Sequence, residues 1–149
     1  MNLSVSNNIK IIKTDDINAC LEIRRKVFID EQNVPTELEI DDYDRSDSEC
    51  EHFLITDNSA NVGTFRLIYD SPELAHMQRL CVLPEMRGKG CGYAAMSFLK
   101  EECKKRGNSI ITLGAQCHAI PFYESCGFVC VSDVFLDAGI EHRTMECVL

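Results

Sequence analysis

Residues 87 to 92 combine three glycines with two basic side chains in the order Arg87-Gly88-Lys89-Gly90-Cys91-Gly92. The segment follows an apolar stretch that ends at Pro84 and precedes a helical stripe of apolar residues. A strand, a glycine-rich turn and a helix N-terminus together bind phosphate, because glycine lets the backbone come close and turn its N–H groups towards an anion. A turn that only capped a helix would need one glycine, so this composition favours an anion site.

The pattern does not suit the usual nucleotide-binding classes. The chain lacks the GxxxxGK[ST] pattern that holds nucleoside triphosphates. A dinucleotide fold would require G-x-G-x-x-G after an early strand and an acidic residue about 20 positions further on. The segment therefore predicts a phosphate site but leaves its ligand open.

The elements around this segment have to position it, and apolar periodicity predicts them. The predicted strands cover 8–13, 51–57, 62–69, 74–83, 109–113, 128–135 and 142–148. The predicted helices run from an N-cap at Thr14 to about Ile29, from the glycine segment to about Arg106, and over 119–126. This order predicts a single α/β (α+β) domain over residues 1–149, with a mixed, largely antiparallel central sheet flanked by helices.

Residues 33 to 49 are predicted to form a strongly acidic loop. One arginine, Arg45, lies among the carboxylates Glu37, Glu39, Asp41, Asp42, Asp44, Asp47 and Glu49. The ordinary interpretation is a solvated loop. The alternative is a negative rim that gathers an amine substrate.

Composition limits the partners. A chain of 149 residues has the length of one domain that can bury a core without staples. Its net charge of −9 argues against nucleic acid and anionic membranes, and it is compatible with a cationic substrate. No stretch is apolar enough to span a membrane, and residues 1–8 do not resemble an export signal, so we expect a cytoplasmic protein.

The cysteines and histidines do not indicate a metal site. The nine cysteines are odd in number and contain no CxxC pair, so we expect reduced thiols that fill small buried positions. The four histidines are scattered without the spacing of zinc ligands. Neither a metal nor a disulfide framework is therefore expected.

Four segments in register carry a resemblance to a known family. Arg87-x-x-Gly90-x-Gly92 matches the Q/R-x-x-G-x-G/A signature of the GNAT superfamily of N-acetyltransferases, and residues 79–82 resemble its fourth strand. Residues 119–128 are similar to its A-x-x-F-Y-x-x-x-G-F segment. Residues 27–35 and 135–142 resemble the small ElaA/YjcF-like bacterial subgroup, so the likeness covers nearly the whole chain.

The resemblance implies coenzyme A as the phosphate ligand. In the family the fourth and fifth strands splay apart, and the pantetheine arm of acetyl-CoA pairs with the fourth strand's backbone while the glycine segment cradles the pyrophosphate. Backbone N–H groups near Cys81 or Val82 would also polarise the thioester carbonyl. The cofactor-binding residues that this implies are Leu80, Cys81, Val82, Arg87, Gly88, Lys89, Gly90, Cys91, Gly92, Ala119, Phe122 and Tyr123.

The resemblance also implies a general acid. Tyr123 matches the family's tyrosine and would give a proton to the departing thiolate, since a phenol stays protonated at neutral pH. Tyr123 and Phe122 could instead be core aromatics at helical spacing. Cys81 or Cys117 could carry the acetyl group covalently, but neither has an evident base partner and the family usually transfers directly.

The general base is not fixed by the resemblance. Many relatives place a Glu on the fourth strand, where this chain has Gln78, which cannot accept a proton at neutral pH. Glu31, after the first helix, is the first candidate and His142 the second, since histidine suits base catalysis near neutrality. His52 is a weaker candidate. His76 and His118 are predicted to be structural or to lie on the surface.

The expected function is transfer of an acetyl group from acetyl-CoA to a primary amine of a small molecule or peptide, in a ternary complex. A non-catalytic acetyl-CoA sensor is the alternative from another class. Acyl-homoserine lactone synthases share the fold and a loosely similar cluster, but their pattern includes a tryptophan that this chain lacks. That cluster comprises Arg24, Phe28, Glu39, Asp41, Asp42 and Asp44. The acceptor stays open, as does the choice between monomer and homodimer.

Overall fold

The computed structural model of the chain describes residues 8–149, so most of the segment compared with export signals lies outside the described residues. The strands are β1 (Ile9–Thr14), β2 (Glu51–Asp57), β3 (Ala60–Tyr69), β4 (Leu74–Val82), β5 (Ile110–Gln116), β6 (Val129–Cys130), β7 (Phe135–Asp137) and β8 (Ile140–Val148). The α-helices are α1 (Ile17–Arg24), α2 (Thr36–Glu39), α3 (Cys91–Arg106) and α4 (Ile120–Ser125). A π-helical segment, Arg25–Glu31, continues α1, and 3₁₀ turns cover Asp42–Asp44, Pro84–Met86 and Cys117–Ala119.

One eight-stranded mixed sheet organises the fold, in agreement with the predicted class. Its order is β1-β2-β3-β4-β5-β8-β6, and β7 also pairs with β8. All neighbours are antiparallel except β4 and β5. The helix α3 packs on one face over the main core, and α1 packs over β2, β3 and β4 with a smaller core.

The strands β4 and β5 separate soon after they meet. Only Leu74–His76 and Ile110–Thr112 are in register, and the remaining residues of the two strands are not paired with each other. On the other side of β4, the register with β3 slips by one residue between Thr64 and Arg66. Arg79 takes up this extra residue in the left-handed region, with φ of 60°. The splay and the bulge leave an opening in the middle of the sheet.

Local capping signals place the long helix. Gly107 follows α3 with φ of 83°, as predicted for its C-terminal end, and basic residues occupy the last turn. The N-cap of α1 is Asp16 rather than Thr14, because the Asp16 carboxylate accepts a hydrogen bond from Ala19 N. Thr14 instead accepts a hydrogen bond from Asp16 N, so it supports the cap from outside the helix.

Two predicted elements differ from the structure. The predicted strand 128–135 is wrong, because β6 and β7 are two short strands on the outer edge of β8. The predicted strand 109–113 continues to Gln116 as β5. Every second position of β5 after Ile110 is polar or glycine, as at Thr112 and Gly114, so an apolar pattern alone ends the strand too early.

The acidic segment is only partly solvated: most of its carboxylates are exposed, and two are not. Glu39 and Asp44 have side chains that are only 2% and 3% exposed. Arg24 donates to both carboxylates, and Arg66 donates to Asp41 and Asp44. The solvated interpretation is therefore wrong for Glu39 and Asp44, and a negative rim built on these two acids and Asp41 is also wrong, because arginines distant in sequence neutralise them.

Candidate active site

A cavity of about 1160 Å³ opens where β4 and β5 separate. Its walls come from the end of the π-helical segment, from β4 and β5, from the glycine segment, from α4, and from β7 and β8. Among the predicted cofactor-binding residues, those that line it are Leu80, Cys81, Val82, Arg87, Gly88, Gly90, Cys91, Gly92, Ala119, Phe122 and Tyr123. Lys89 lies exposed on the loop and is not part of the wall. The candidate bases Glu31 and His142 line the same cavity.

The three glycines of the loop meet two different geometric requirements. Gly88 and Gly90 adopt φ of 77° and 91°, where a side chain would be strained. A Cβ on Gly92 would lie 2.9 Å from Phe122 Cζ, so this position is kept small by an aromatic ring. Gly90 precedes α3, whose first N–H groups have no partner within the helix. The turn therefore combines glycine conformations with a helix N-terminus, the two features that an anion site requires.

Arg87 and Glu31 both line the cavity and form a bidentate ion pair with each other. Arg87 Nη1 and Nη2 each lie 2.7 Å from a Glu31 carboxylate oxygen, and Arg87 Nε donates to Val82 O at 3.1 Å. The hydrogen bond from Arg87 lowers the pKa of Glu31. A carboxylate held ionised in this way is a weak base, so the arrangement disfavours the predicted role of Glu31 in catalysis.

His142 lines the cavity and has the tautomer that a base needs. It lies on β8, is 8% exposed, and stacks on Phe135 with ring centroids 5.9 Å apart. Its Nδ1 lies 2.7 Å from Ile140 O, and a carbonyl can only accept, so Nδ1 carries the hydrogen. Nε2 therefore keeps a lone pair in the neutral ring.

Tyr123 is held by aromatic rings and stays protonated. It is 8% exposed and packs edge-on against Phe122 and Phe128, at centroid distances of 5.1 and 5.9 Å. Burial raises the pKa of the Tyr123 hydroxyl well above its ordinary value. A buried phenol in the cavity wall can donate a proton but does not ionise near neutrality.

The remaining candidates take structural places. Burial raises the pKa of the Cys81 thiol, which disfavours the thiolate that a nucleophile requires. His52 is buried outside the cavity wall, with Nε2 2.9 Å from Tyr43 O. Gln78 lines the cavity, but its Oε1 accepts from Arg66 Nε and Nη2. Over residues 8–149, no group of three or more His, Cys, Asp or Glu side chains is placed to hold a metal ion.

The sequence interpretation missed part of the cavity wall. Gln32 and Gln116 exchange two hydrogen bonds between their amides, at 3.2 and 2.9 Å. Phe135 and Asp137 also line the cavity, as do His76 and His118, which were predicted to be structural or superficial. Alternation along β5 and β8 was the available signal, since every second residue there is polar or glycine.

The decisive comparison is with protein families. The profile of the Acetyltransferase (GNAT) domain matches residues 20–149 of the chain. The chain belongs to the GNAT acetyltransferase family. Within this family it is 38% identical over 124 residues to the uncharacterized N-acetyltransferase YjcF of Bacillus subtilis, covering 83% of this chain and 86% of YjcF.

Solved structures of the family share the fold. The crystal structure of Escherichia coli ElaA superposes with a TM-score of 0.81 at 30% identity, covering 93% of this chain and 99% of ElaA. A GNAT family acetyltransferase from Elizabethkingia anophelis, whose crystal structure has acetyl-CoA bound, gives a TM-score of 0.69 at 14% identity. That alignment covers 97% of this chain and 100% of the other, and at this identity it shows the fold alone. These findings confirm the ElaA/YjcF-like subgroup and an acyl-CoA-dependent N-acyltransferase. Over the described residues, no helix has the length and apolarity needed to cross a membrane.

Proposed function

We propose that the chain moves an acetyl group from acetyl-CoA to a primary amine by direct transfer, with His142 as the base and Tyr123 as the acid. One observation carries this proposal. The glycine segment, the bulged end of β4, Tyr123 and His142 all line the same cavity between the splayed strands. A binding site for an anionic donor and the two groups that transfer protons therefore share one space.

The cavity fits coenzyme A. Gly88, Gly90 and the first turn of α3 would hold the pyrophosphate, with Lys89 as an exposed cation beside it. Backbone groups of Leu80 to Val82 would pair with the pantetheine arm on the side of β4 that β5 leaves open. Bound acetyl-CoA supplies a thioester, which is an activated acyl group.

The proton transfers follow from the two side chains. His142 Nε2 removes a proton from the acceptor's ammonium form, so that the nitrogen lone pair can attack the thioester carbonyl carbon. The new C–N bond forms and the C–S bond breaks. The Tyr123 hydroxyl protonates the leaving thiolate, and it regains a proton as the product nitrogen loses its second. The sum is one amide, one thiol and one proton released to solvent.

The developing negative charge on the carbonyl oxygen also needs donors. The bulge at Arg79 interrupts the pairing of β4 with β3 immediately before Leu80 and Cys81. Backbone N–H groups at this place are candidates for the oxyanion site, because fixed dipoles in a water-poor cavity stabilise such charge strongly.

Release of free thiol from acetyl-CoA, measured over a panel of primary amines, tests the proposal. We expect at least one amine to raise thiol release well above the rate with water alone, and mass spectrometry to find the acetylated amine. If acetyl-CoA binds tightly and no amine raises turnover or becomes acetylated, the sensor function replaces the enzyme.

The lactone synthase alternative loses its main support. Its likeness rested on an arginine and several acids, and three of them, Arg24, Glu39 and Asp44, form a buried ion cluster. These three residues have a structural role, because their ion pairs hold the segment after α1 against the sheet. The buried ion cluster therefore removes the cluster-based support for a lactone synthase, and amine acetylation is retained as the proposal.

A further inference from the structure

One face of the sheet provides an open polar floor beside His142. The residues of β5 and β8 that point away from α3 are Thr112, Gly114, Gln116, His142 and Thr144, and all of them line the cavity. Their neighbours on the other face, such as Ile111 and Met145, are buried in the core. Because α1 packs over β2, β3 and β4, it leaves this floor accessible for an acceptor.

Charge is distributed unevenly along the cavity. Glu31 and Asp137 are the two carboxylates in its wall, as far as residues 8–149 are concerned. Glu31 is neutralised by Arg87, and the wall cation Arg79 lies 3.3 Å from a Glu39 oxygen. The Asp137 carboxylate has no ion-pair or hydrogen-bond partner among the described residues. The cavity wall thus combines a glycine segment suited to phosphate with an uncompensated negative charge at Asp137.

Strand register fixes the path from His142 to Asp137. Phe135 is the register partner of His142, and the two rings stack. Asp137 follows Phe135 by two residues on β7, so its side chain lies on the same face roughly 7 Å further along. The cavity wall therefore presents three neighbouring groups: the imidazole of His142, the ring of Phe135, which is 38% exposed, and the carboxylate of Asp137.

We infer that the acceptor carries a second cationic group, which Asp137 binds while His142 deprotonates the reacting amine. This inference rests on the proposed function. The exposed face of Phe135 suits a short methylene chain between the two nitrogens, and it can also attract a cation. 1,4-Diaminobutane, with four methylene groups between its two ammonium groups, is a simple acceptor of this kind. The overall charge of −9 favours the approach of such a dication.

Selectivity between paired amines measures the role of Asp137. Values of kcat/KM are compared for two acceptors, the diamine 1,4-diaminobutane and the monoamine n-butylamine, in the wild type and in Asp137→Asn. We expect the wild type to prefer the diamine by about two- to fivefold, and Asp137→Asn to reduce the ratio towards one, since one solvent-exposed charge pair is worth about this factor. Asp133→Asn is the matched control, because Asp133 is exposed on the same segment and does not line the cavity. It should keep the wild-type ratio.

A binding measurement separates this inference from the proposed function. Isothermal calorimetry with 1,4-diaminobutane should show binding to the wild type and to Asp133→Asn, and binding about two- to fivefold weaker to Asp137→Asn. If amines are acetylated but the diamine is not preferred, or if the preference survives in Asp137→Asn, Asp137 is not the anchor. If no amine is acetylated, the proposed function fails, and calorimetry still decides: Asp137-dependent binding supports the anchor, and equal binding overturns it.

Discussion

The Arg87 guanidinium faces the Glu31 carboxylate with both Nη atoms 2.7 Å from its oxygens. The pair joins the glycine segment to the end of the π-helical segment. The next residue, Gln32, joins the same helical end to Gln116 at the end of β5. Two consecutive side chains therefore hold the helix to both sides of the opening between the splayed strands.

Replacing Glu31 with Gln tests whether this residue acts as a base or as a partner of Arg87. The substitution removes a negative charge beside the phosphate site, so we expect the KM for acetyl-CoA to fall by roughly two- to fivefold at low salt. We expect kcat to change by less than about threefold, because His142 takes the proton. Glu85→Gln is the control, since Glu85 is exposed near Arg87 without accepting its hydrogen bonds. A loss of kcat of about a hundredfold in Glu31→Gln would restore Glu31 as the base.

Replacing His142 with Ala should remove the base. We expect kcat to fall by about a hundredfold or more, because the acceptor's ammonium then depends on water to lose its proton. The residual rate should respond to added imidazole, which can occupy the space of the missing ring. A rate that falls without rescue, together with loss of thermal stability, would instead indicate that His142 only supports Phe135.

The features that the sequence predicted are those fixed by neighbours along the chain. The glycine turn before α3, Gly107 after it, and Phe122 and Tyr123 on α4 all follow from local spacing. The order of elements was also sufficient for the mixed sheet. Family resemblance then added the ligand that the local pattern left open.

The features that it missed depend on contacts between distant residues. Gln32 and Gln116 are 84 positions apart, and Arg66 meets Asp41 across 25 positions. Dense acids in one segment look solvated unless their arginine partners are known, and these come from α1 and β3. The pairing of Glu31 with Arg87 was missed for the same reason, and Glu31 was therefore predicted to be a base. Asp137 lies in a strand whose bounds could not be read from an apolar pattern.

Tyr123→Phe should lower kcat by about ten- to a hundredfold, since the thiolate then leaves without its proton. The phenyl ring keeps the contacts with Phe122 and Phe128, so the melting temperature should change little. Because burial raises the pKa of Tyr123, the acid form persists as pH increases through the usual tyrosine range. We therefore expect no loss of wild-type activity from this group below about pH 10. An alkaline decline near pH 8 that disappears in Tyr123→Phe would contradict the assignment.

Asp44→Asn should destabilise the fold. The carboxylate accepts from Arg24 and Arg66, so its loss removes one of the two carboxylate partners of each buried guanidinium group, at a cost of about 3 kcal/mol in urea unfolding. Hydrogen bonds and charge from Arg24 and Arg66 outweigh desolvation and lower the pKa of Asp44 in the folded state. The carboxylate therefore stabilises the fold fully at pH values above its pKa in the unfolded chain, and this contribution is lost as the pH falls through its folded-state pKa. The difference between wild type and variant should therefore shrink between about pH 5 and pH 2. Asp47→Asn, at an exposed pair with Arg45, should change stability by less than about 0.5 kcal/mol.

Gly92→Ala tests whether a larger residue is excluded at this position by the Phe122 ring rather than by backbone conformation. Its Cβ would lie 2.9 Å from Phe122 Cζ, so the ring has to move, and overpacking of this kind costs about 1–3 kcal/mol. Phe122→Leu should recover most of that cost, and a double-mutant cycle of urea unfolding would measure the coupling. Gly88→Ala is the comparison, because its Cβ would meet open space and its cost would come from φ of 77° alone. Phe122→Leu should give that variant no relief. Equal coupling of Phe122 to both positions would mean that the ring does not explain Gly92.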